Sequence, residues 1–406
     1  MKTKVLLKVI PFSMCMVSIP VLAQEMNWSI ETGLGYESNV FHAPDHDYVD
    51  TALPSTRLNV PPGVAVTPVE KDGLFIPVDV QVDLINKIDN SRNFVTGIGL
   101  DTKLMLDSDL SDATATNVDL DLGVEYLFTK IMKSKKIKKV GNAYIGAFIS
   151  THSQVYVDSD SGLPKTTTAG TSLSDKYSYQ SAGLKAEYER KVKKMSYMAG
   201  FVYENLNYDA PGTGAEYDHN LTKIKLSVAR ELARSTDLKI EYSHAVRDYS
   251  KRYARDAATG TYSSTLNGLL EYTYDKFGLG LVHKVSNDLK LYVDVANTSR
   301  TDAFEAYNDY SKNDFSVRAR YKYSDKTKIR AKVKTSSTNY DNAYNFDDNT
   351  RGRKENSGFD LDLKVEHKWH KNKLYYVELN HTDRVSTDDR YDYTDNEIMI
   401  GAKWEY

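Results

Sequence analysis

The stretch EIMIGAKWEY, residues 397–406, alternates apolar and polar side chains up to the last residue of the chain. Successive side chains of a β-strand point to opposite faces of the sheet. One face would therefore carry Ile398, Ile400, Ala402, Trp404 and Tyr406, and the other Glu397, Lys403 and Glu405. Chain ends are usually frayed and polar. An alternating, aromatic end therefore indicates a strand that continues to the terminus.

The first residues of the chain are typical of a secretory signal peptide. Lys2, Lys4 and Lys8 form a basic start, an apolar stretch too short to span a bilayer follows, and VLA provides a small-residue cleavage site. We therefore predict a signal peptide at residues 1–23 and a mature chain at residues 24–406. A short membrane anchor is the alternative.

The composition limits the partners and sites that the mature chain can have. The only cysteine, Cys15, lies in the predicted signal peptide, so the mature chain would hold neither disulfides nor a thiolate metal site. Loss of the three N-terminal lysines would change the net charge from −3 to −6. This mildly acidic balance argues against a nucleic-acid partner.

Period-two segments recur along the whole chain, while helical periodicity is scarce. FIPVDVQVDLINKI (residues 75–88) and NVDLDLGVEYLF (residues 117–128) place aliphatic side chains on one face and acidic side chains on the other. No apolar run in residues 24–406 approaches the ~18 residues of a membrane helix. This alternation fits a water-soluble sandwich or a membrane barrel.

The connections between these segments favour the membrane barrel, because short turns alternate with long loops as in outer-membrane barrels. The short turns lie near residues 87–93, 129–142, 190–195, 232–237, 284–288, 323–328 and 367–373. The long loops are predicted at residues 37–72, 158–175, 250–262 and 337–358. Seven short turns, with both termini at the same end, predict an antiparallel up-and-down barrel of about 16 strands. An extra hairpin within residues 262–285 would give about 18.

The hydrogen-bonding needs of the backbone and the sequence of the last strand predict that this barrel lies in a Gram-negative outer membrane. A sheet that crosses lipid must close, because an open edge would leave amides without partners. The final strand, with Ile400, Trp404 and Tyr406, resembles the signal that the barrel-assembly machinery reads. We therefore expect that machinery and outer-membrane lipids, including lipopolysaccharide, as partners.

If the apolar faces meet lipid, the polar faces line the lumen and set its charge. The N-terminal strands would supply an acidic wall of Asp79, Asp83, Asp101, Asp119, Asp121 and Glu125. Later strands would supply a basic wall of Arg318, Arg320, Lys322, Lys328, Arg330, Lys332 and Lys334. Strands eight or nine apart in a barrel of about 16 face each other, so the sequence predicts a transverse field of the kind that selects solutes in water-filled pores. The alternative is a closed barrel filled by paired charges.

Other candidate sites are weaker. His42 and His46 are four residues apart beside two aspartates, but in a predicted loop we assign them no metal. Tyr292 and Tyr376 are lumenal aromatics that could stack on sugars or pack the wall. Residues 1–406 contain no Gly-x-Ser-x-Gly elbow and no spacing that singles out a nucleophile with its base. We therefore expect no enzyme, no catalytic residue and no cofactor.

The stretch GLGYESNVFHAPDHD, residues 33–47, resembles the first strand and loop of a family of outer-membrane β-barrel porins, the BBP2-type family. The matching residues are Gly35, Tyr36, Glu37, Ser38, Asn39, Val40 and Phe41. The resemblance implies an outer-membrane exit for exopolysaccharide or capsule, to which periplasmic export components would deliver the polymer.

Three functions follow from these readings. The first is a passive pore for hydrophilic, charged solutes, with (poly)saccharide export as its specific form. The second is a plugged structural or adhesive barrel that binds an external ligand through its Asp-rich loops. The third, and least favoured, is a hydrolase at the rim.

Overall fold

The structure is a computed structural model that describes residues 25–50, 64–131, 137–155, 176–208, 217–257, 267–344 and 352–406. The predicted signal peptide and the predicted loop at residues 158–175 lie outside the described residues.

Eighteen β-strands follow one another along the described chain. They are β1 (Glu25–Glu37), β2 (Tyr48–Asp50), β3 (Val64–Val66), β4 (Gly73–Lys87), β5 (Arg92–Met105), β6 (Ala115–Ile131), β7 (Ile137–Gln154), β8 (Tyr179–Val192) and β9 (Met195–Tyr208). They continue with β10 (His219–Ala233), β11 (Thr236–Tyr253), β12 (Leu269–Lys284), β13 (Leu289–Asp302), β14 (Tyr310–Lys322), β15 (Thr327–Tyr344), β16 (Arg353–His370), β17 (Lys373–Ser386) and β18 (Tyr393–Glu405). Two 3₁₀ helices lie at Ser108–Ala113 and Asp389–Tyr391. None of the helices in the described ranges is long and apolar enough to cross a lipid bilayer.

Sixteen of these strands form one closed antiparallel barrel. Its order around the ring is β1, then β18 down to β4 in sequence, so that β1 pairs with both β18 and β4. Strands β2 and β3 pair with each other in the first long loop. The prediction of an all-β barrel of about 16 strands is confirmed. The alternative of 18 barrel strands is wrong, because the region that suggested an extra hairpin is the single strand β12.

The connections alternate between two ends of the barrel as predicted. Short connections join β4 to β5, β6 to β7, β8 to β9, β10 to β11, β12 to β13, β14 to β15 and β16 to β17. The structure corrects the bounds of the long loops: β11 extends to Tyr253, and β15 and β16 occupy most of residues 337–358. Further connections at that end, at residues 106–114, 303–309 and 387–392, were not among the predicted loops.

Contacts between strands that are not neighbours identify the inner face. Lys364 Nζ on β16 lies 2.8 Å from Glu31 Oε1 on β1, and Lys103 Nζ on β5 lies 3.1 Å from Glu397 Oε2 on β18. These side chains reach past intervening strands, which only the concave side of a closed barrel permits. The alternating positions that share a face with them therefore point inward.

The opposite positions carry apolar side chains on the convex surface. Ile400 and Phe277 retain 62% and 61% of their accessible surface, and similar aliphatic and aromatic residues surround the barrel. A continuous apolar exterior of this kind is stable in hydrocarbon and not in water. Strands of 13 to 18 residues also exceed the ~9–11 that a tilted strand needs to span the bilayer. The protein is a transmembrane barrel of the outer-membrane type.

Candidate functional site

The inner face of the barrel carries charged side chains that remain accessible to water. Arg330 and Lys332 keep 46% and 40% of their side-chain surface exposed although both point inward. A packed interior would bury such groups almost completely. The described part of the lumen is therefore a hydrated surface, and it is the candidate site for any solute that enters the barrel.

The six predicted acidic residues lie together on the inner positions of β4, β5 and β6. Glu31 pairs with Asp79 across β1 and β4, and Asp79 pairs with Asp101 across β4 and β5. Cross-strand partners lie on the same face of a sheet, so the remaining acidic residues can be placed from their partners. The pairs are Asp83 with Gly97, Gly97 with Asp121, Gly99 with Asp119, and Asn93 with Glu125.

Only part of this acidic group is neutralised by local partners. Asp121 lies 2.5 Å from Lys185 Nζ and accepts a hydrogen bond from the Tyr144 hydroxyl. Glu125 lies 3.0 Å from Lys139 Nζ. Within the described chain, the residues of this group that have no ion pair within 4 Å are Asp79, Asp83, Asp101 and Asp119. The β4–β6 surface therefore carries a net negative charge.

The seven predicted basic residues lie on the inner positions of β14 and β15. They face one another in the cross-strand pairs Arg318 with Lys332, Arg320 with Arg330, and Lys322 with Lys328, while Lys334 pairs with Ser316. Like charges directly opposite each other repel. The adjacent carboxylates offset this repulsion by pairing Arg330 with Glu366 (2.9 Å), Lys332 with Asp362 (2.7 Å) and Lys334 with Asp314 (3.3 Å).

Two arginines of this group have no such carboxylate. The guanidinium groups of Arg318 and Arg320 lie over the ring of Tyr292, at 4.6 Å and 5.2 Å from its centroid. Within the described ranges neither has an ion pair within 4 Å. A tyrosine face is a weaker counterpart than a carboxylate, so these two arginines retain most of their positive field.

The acidic and basic surfaces lie on opposite parts of the ring. Strands β6 and β14 are eight strands apart and therefore face each other directly. Strands β4 and β15 are five strands apart along the shorter path through β1 and β18. The acidic and basic surfaces are therefore farthest apart between β6 and β14. Their separation across the lumen decreases towards the β16–β18 side.

That side carries a network of compensating charges. Lys364 Nζ lies 2.8 Å from Glu31 Oε1 and 2.9 Å from Glu378 Oε2, and 4.0 Å from the ring centroid of Tyr376. Tyr376 is 3% exposed and its ring lies against Gly401, where a Cβ atom would collide with it. Tyr376 therefore packs in the wall, which was the second of the two roles left open by the sequence, and it is too buried to stack on a sugar.

Residues 35–41, which resemble the BBP2-type family, attach the first long loop to the loop end of the barrel through hydrogen bonds. Asn39 is fully buried: its side chain donates to Ala43 O (2.8 Å) and accepts from Ala43 N (2.8 Å), while its backbone N–H donates to Asp395 Oδ1 (3.0 Å). Gly35 leaves space for the Phe75 ring, which a Cβ atom would meet. The other motif residues are Tyr36, Glu37, Ser38, Val40 and Phe41.

The two histidines after this motif each lie beside carboxylates. Ligand atoms of Glu37, His42 and Asp395 lie within 4.8 Å of one another, as do those of His46, Asp389 and Asp392. Lys103 Nζ lies 2.7 Å from Glu37 Oε2 and so already supplies a positive charge to the first group.

The residues of the predicted assembly signal lie on the lipid-facing side of β18. Ile400 and Tyr406 are exposed there, and Trp404 pairs with Ile30 of β1 and Lys373 of β17. Recognition of this strand by the assembly machinery stays a prediction.

A group of tyrosines and arginines at the loop end of the lumen was not found from the sequence. We call it the mouth cluster, and it consists of Arg247, Tyr249, Tyr272, Tyr274, Arg300 and Tyr310. Arg300 lies between the rings of Tyr272 and Tyr310, at 4.5 Å and 4.3 Å from their centroids. The available signal was the spacing of two in Tyr272 with Tyr274 and in Arg247 with Tyr249. That spacing alone does not bring different strands together.

Comparison with known proteins identifies no family for this chain. No protein-family model matches the chain, and no curated protein matches it. The resemblance to the BBP2-type family therefore stays a prediction.

Solved structures of outer-membrane proteins resemble the barrel in chain path. OmpT of Vibrio cholerae is 13% identical, with 94% of this chain and 98% of that chain covered and a TM-score of 0.47. OccAB1 of Acinetobacter baumannii is 10% identical, with 94% and 96% covered and a TM-score of 0.49. OmpF of Salmonella typhi is 13% identical, with 94% and 97% covered and a TM-score of 0.49. At these identities the likeness concerns the fold alone.

Proposed function

We propose that the protein is a passive outer-membrane pore for hydrophilic, charged solutes and that its cargo is a saccharide or polysaccharide moving outward. It performs no chemistry on this cargo. Sixteen strands give a barrel wide enough to hold an aqueous channel. The observation that supports conduction is the partial exposure of inward charges such as Arg330 and Lys332.

The saccharide part of the proposal has less direct support. The resemblance around Asn39 suggests polysaccharide export, and inward tyrosines with hydroxyl groups suit sugar surfaces. Export would require periplasmic components that deliver the polymer to the short-turn end of the barrel. Lipopolysaccharide would surround the loop end, and the assembly machinery would act on β18 during insertion.

Single-channel recording of the folded protein in planar lipid bilayers tests conduction. We expect discrete current steps whose size scales with salt concentration. A plugged adhesive barrel, the rival function, would insert without giving steps. A control protein that was unfolded and not refolded should give no steps either, which excludes leakage caused by detergent.

Reversal potentials under a salt gradient test whether the predicted basic residues line the conducting path. Neutralising Arg318, Arg320, Arg330 and Lys332 to glutamine should shift selectivity towards cations, because the path loses positive field. The matched control neutralises four lysines in short turns, namely Lys193, Lys194, Lys326 and Lys371. A shift of equal size in both variants would show that the basic wall is not on the path.

A further inference from the structure

We propose that the mouth cluster is a binding site for a carboxylated saccharide, at the loop end of the lumen. This inference rests on the proposed pore function and names the class of its cargo. The guanidinium groups of the cluster would bind the carboxylate, and the tyrosine rings and hydroxyl groups would contact the sugar.

The cluster lies on the inner face of four consecutive strands. Arg247 on β11 pairs with Tyr272 on β12, Tyr274 on β12 pairs with Arg300 on β13, and Arg300 pairs with Tyr310 on β14. Arg300 also shares its face of β13 with Tyr292, which contacts the inward Arg318. These positions lie near the ends of their strands that join the long loops.

The cluster has a buried base and a half-buried layer above it. Tyr249 and Tyr272 are buried against Ala254 and Leu270. Arg247, Tyr274, Arg300 and Tyr310 are half-buried, so each keeps surface that a solute can reach. A rigid base fixes the positions of the accessible groups before a ligand arrives, which lowers the entropic cost of binding.

The two arginines keep their positive charge without a carboxylate partner. In the described ranges neither Arg247 nor Arg300 has an ion pair within 4 Å. The Nε and Nη2 atoms of Arg300 donate to Asn308 O, which is a neutral acceptor. Nη1 of Arg247 makes a long bond of 3.4 Å to the Tyr249 hydroxyl.

Asp302 and Asp309 are the carboxylates near Arg300, and each uses one oxygen atom in a backbone hydrogen bond, while Asp302 Oδ2 is buried without a partner in the described structure. Asp302 Oδ1 accepts from the Phe304 backbone N–H at 2.9 Å, and Asp309 Oδ1 accepts from the Asp302 backbone N–H at 2.6 Å. They organise the connection between β13 and β14. Both carboxylates act on Arg300 electrostatically but neither forms an ion pair with it within 4 Å in the described chain, so the guanidinium group can still take a carboxylate from solution as a direct partner.

Buried polar atoms without partners give independent support. Nε of Arg247 is buried and has no hydrogen-bond partner in the described structure. The same holds for Nε2 of His219, whose ring lies 5.0 Å from that of Tyr249 and whose residue is 4% exposed. Leaving such atoms unpaired costs stability. Similar atoms occur elsewhere in the described barrel, and one of them, Asp302 Oδ2, lies next to this cluster, so the support comes from Arg247 Nε, a donor within the cluster that a polar ligand could satisfy.

The chemistry of the cluster selects among ligands. A guanidinium group can bind a carboxylate through two parallel hydrogen bonds, and the nearby rings of Tyr272 and Tyr310 restrict the position of the Arg300 guanidinium group. Tyr274 and Tyr310 add flat rings and hydroxyl groups that suit the C–H faces and hydroxyls of a sugar. A neutral sugar would gain only the second set of contacts. A non-saccharide anion would gain only the first.

The test is block of single-channel current by oligogalacturonate, a carboxylated saccharide, compared with maltooligosaccharide of equal length. Oligogalacturonate should block at a concentration at least about tenfold lower, since hydrogen bonds to charged groups contribute roughly 1.4 kcal/mol or more. Equal block by the two saccharides would overturn the inference. Polyglutamate of equal charge should block less well, and equal block by it would reduce the site to a simple anion site.

The variant R247Q/R300Q should raise the half-blocking concentration of oligogalacturonate about tenfold or more and leave the weak block by maltooligosaccharide unchanged. The control R190Q/R230Q removes two arginines that lie on the outer face near the short turns, and it should behave as the unaltered protein. The variant R247K/R300K keeps the charge without the planar fork and should give an intermediate value. An unchanged half-blocking concentration in R247Q/R300Q would contradict the site.

Calorimetric titration of the detergent-solubilised protein with oligogalacturonate separates this inference from the pore function. Heat-modifiable migration on gels confirms that each variant is folded. If the protein does not conduct but binds oligogalacturonate with the same variant dependence, the pore function fails and the site stands. If it conducts but R247Q/R300Q binds oligogalacturonate as tightly as the unaltered protein, the site fails and the pore function stands.

Discussion

The rings of Trp28 and Tyr406 are stacked, with centroids 4.7 Å apart and planes inclined by 16°. Their backbones also exchange two hydrogen bonds of 2.9 Å, from Trp28 N to Tyr406 O and from Tyr406 N to Trp28 O. Trp28 is near the start of β1, and Tyr406 is the last residue of the chain. The start of β1 and the residue that follows β18 thus close the barrel at the short-turn end.

We predict that Tyr406→Ala lowers the free energy of unfolding by about 0.5–1.5 kcal/mol, the contribution of one aromatic pair. Tyr406→Phe should leave it unchanged, because the ring remains. Deletion of Tyr406 should cost more, because both backbone hydrogen bonds are lost as well. Urea unfolding in detergent micelles measures all three.

The matched control is Tyr126→Ala, which removes another exposed tyrosine of the outer face near a short turn. Within the described residues Tyr126 has no stacked ring partner. If Tyr126→Ala destabilises the barrel as much as Tyr406→Ala, the closing pair has no special role.

We predict that Lys364→Met destabilises the barrel by roughly 2 kcal/mol, because Glu378 loses its ion pair and Glu31 keeps only the longer contact with Lys403 Nζ at 3.9 Å. The triple variant Lys364→Met with Glu31→Gln and Glu378→Gln should recover most of this loss. Urea unfolding in micelles measures both.

For comparison, Lys322→Met removes an ion pair with Asp325 in an exposed turn, and we expect no measurable change. Failure of the triple variant to recover stability would mean that Lys364 acts through packing and not through its charge.

We predict that the two halves of the basic surface respond differently to neutralisation. Arg318→Gln with Arg320→Gln should shift ion selectivity towards cations with little loss of stability, since no carboxylate is left unpaired. Arg330→Gln with Lys332→Gln should shift selectivity at least as far and also destabilise the barrel, because the largely buried Glu366 loses its partner, while the more exposed Lys332–Asp362 pair contributes little. Reversal potentials and urea midpoints, measured on both variants, distinguish the two effects. Equal destabilisation by the two pairs would contradict this division.

We predict that the turn between β4 and β5 loosens only in strong acid. Hydrogen bonds from the Ser91 backbone N–H, the Arg92 guanidinium and the Ser91 hydroxyl lower the pKa of Asp89 to about 2. Because this pKa is below the usual value near 4, the stabilising contribution is complete above about pH 4 and is lost as the pH falls through about 2.

Carboxyl chemical shifts from NMR should show the low pKa of Asp89 directly. Hydrogen exchange at the Ser91 amide, extrapolated to a common intrinsic rate, should accelerate over the same range. In Asp89→Asn this pH dependence should be absent. An Asp89 pKa near its ordinary value would refute the hydrogen-bonded turn.

The sequence predicts the barrel because its period-two pattern and its turn residues indicate the same strand boundaries. The turns after Lys87 and Lys322 combine charged and small polar residues, the turn after Val192 consists of two lysines, and each lies where the structure reverses direction. Within the bilayer each strand meets lipid on one face and water on the other, so alternation is strong there.

Beyond the bilayer the pattern weakens, and the predictions become less accurate. The segment from Ser337 to Tyr344 carries polar residues on both faces and falls in the predicted loop at residues 337–358, although it continues β15. Both of its faces can meet water outside the hydrocarbon, so no alternation is required. The mouth cluster depends on the register between β11 and β14, and the sequence of each strand taken alone does not determine that register. The burial of Asn39 depends likewise on contacts with β18, more than 350 residues away.

Cysteine accessibility along β15 tests most directly the claim that one face of each strand meets hydrocarbon and the other meets water. Residues 24–406 contain no cysteine, so single-cysteine variants need no background substitutions. Cysteines at Arg330, Lys332 and Lys334 should react with a charged, membrane-impermeant thiol reagent in lipid vesicles, while those at Ile329, Ala331 and Val333 should not. Equal reaction at both sets, or the reverse pattern, would contradict the account.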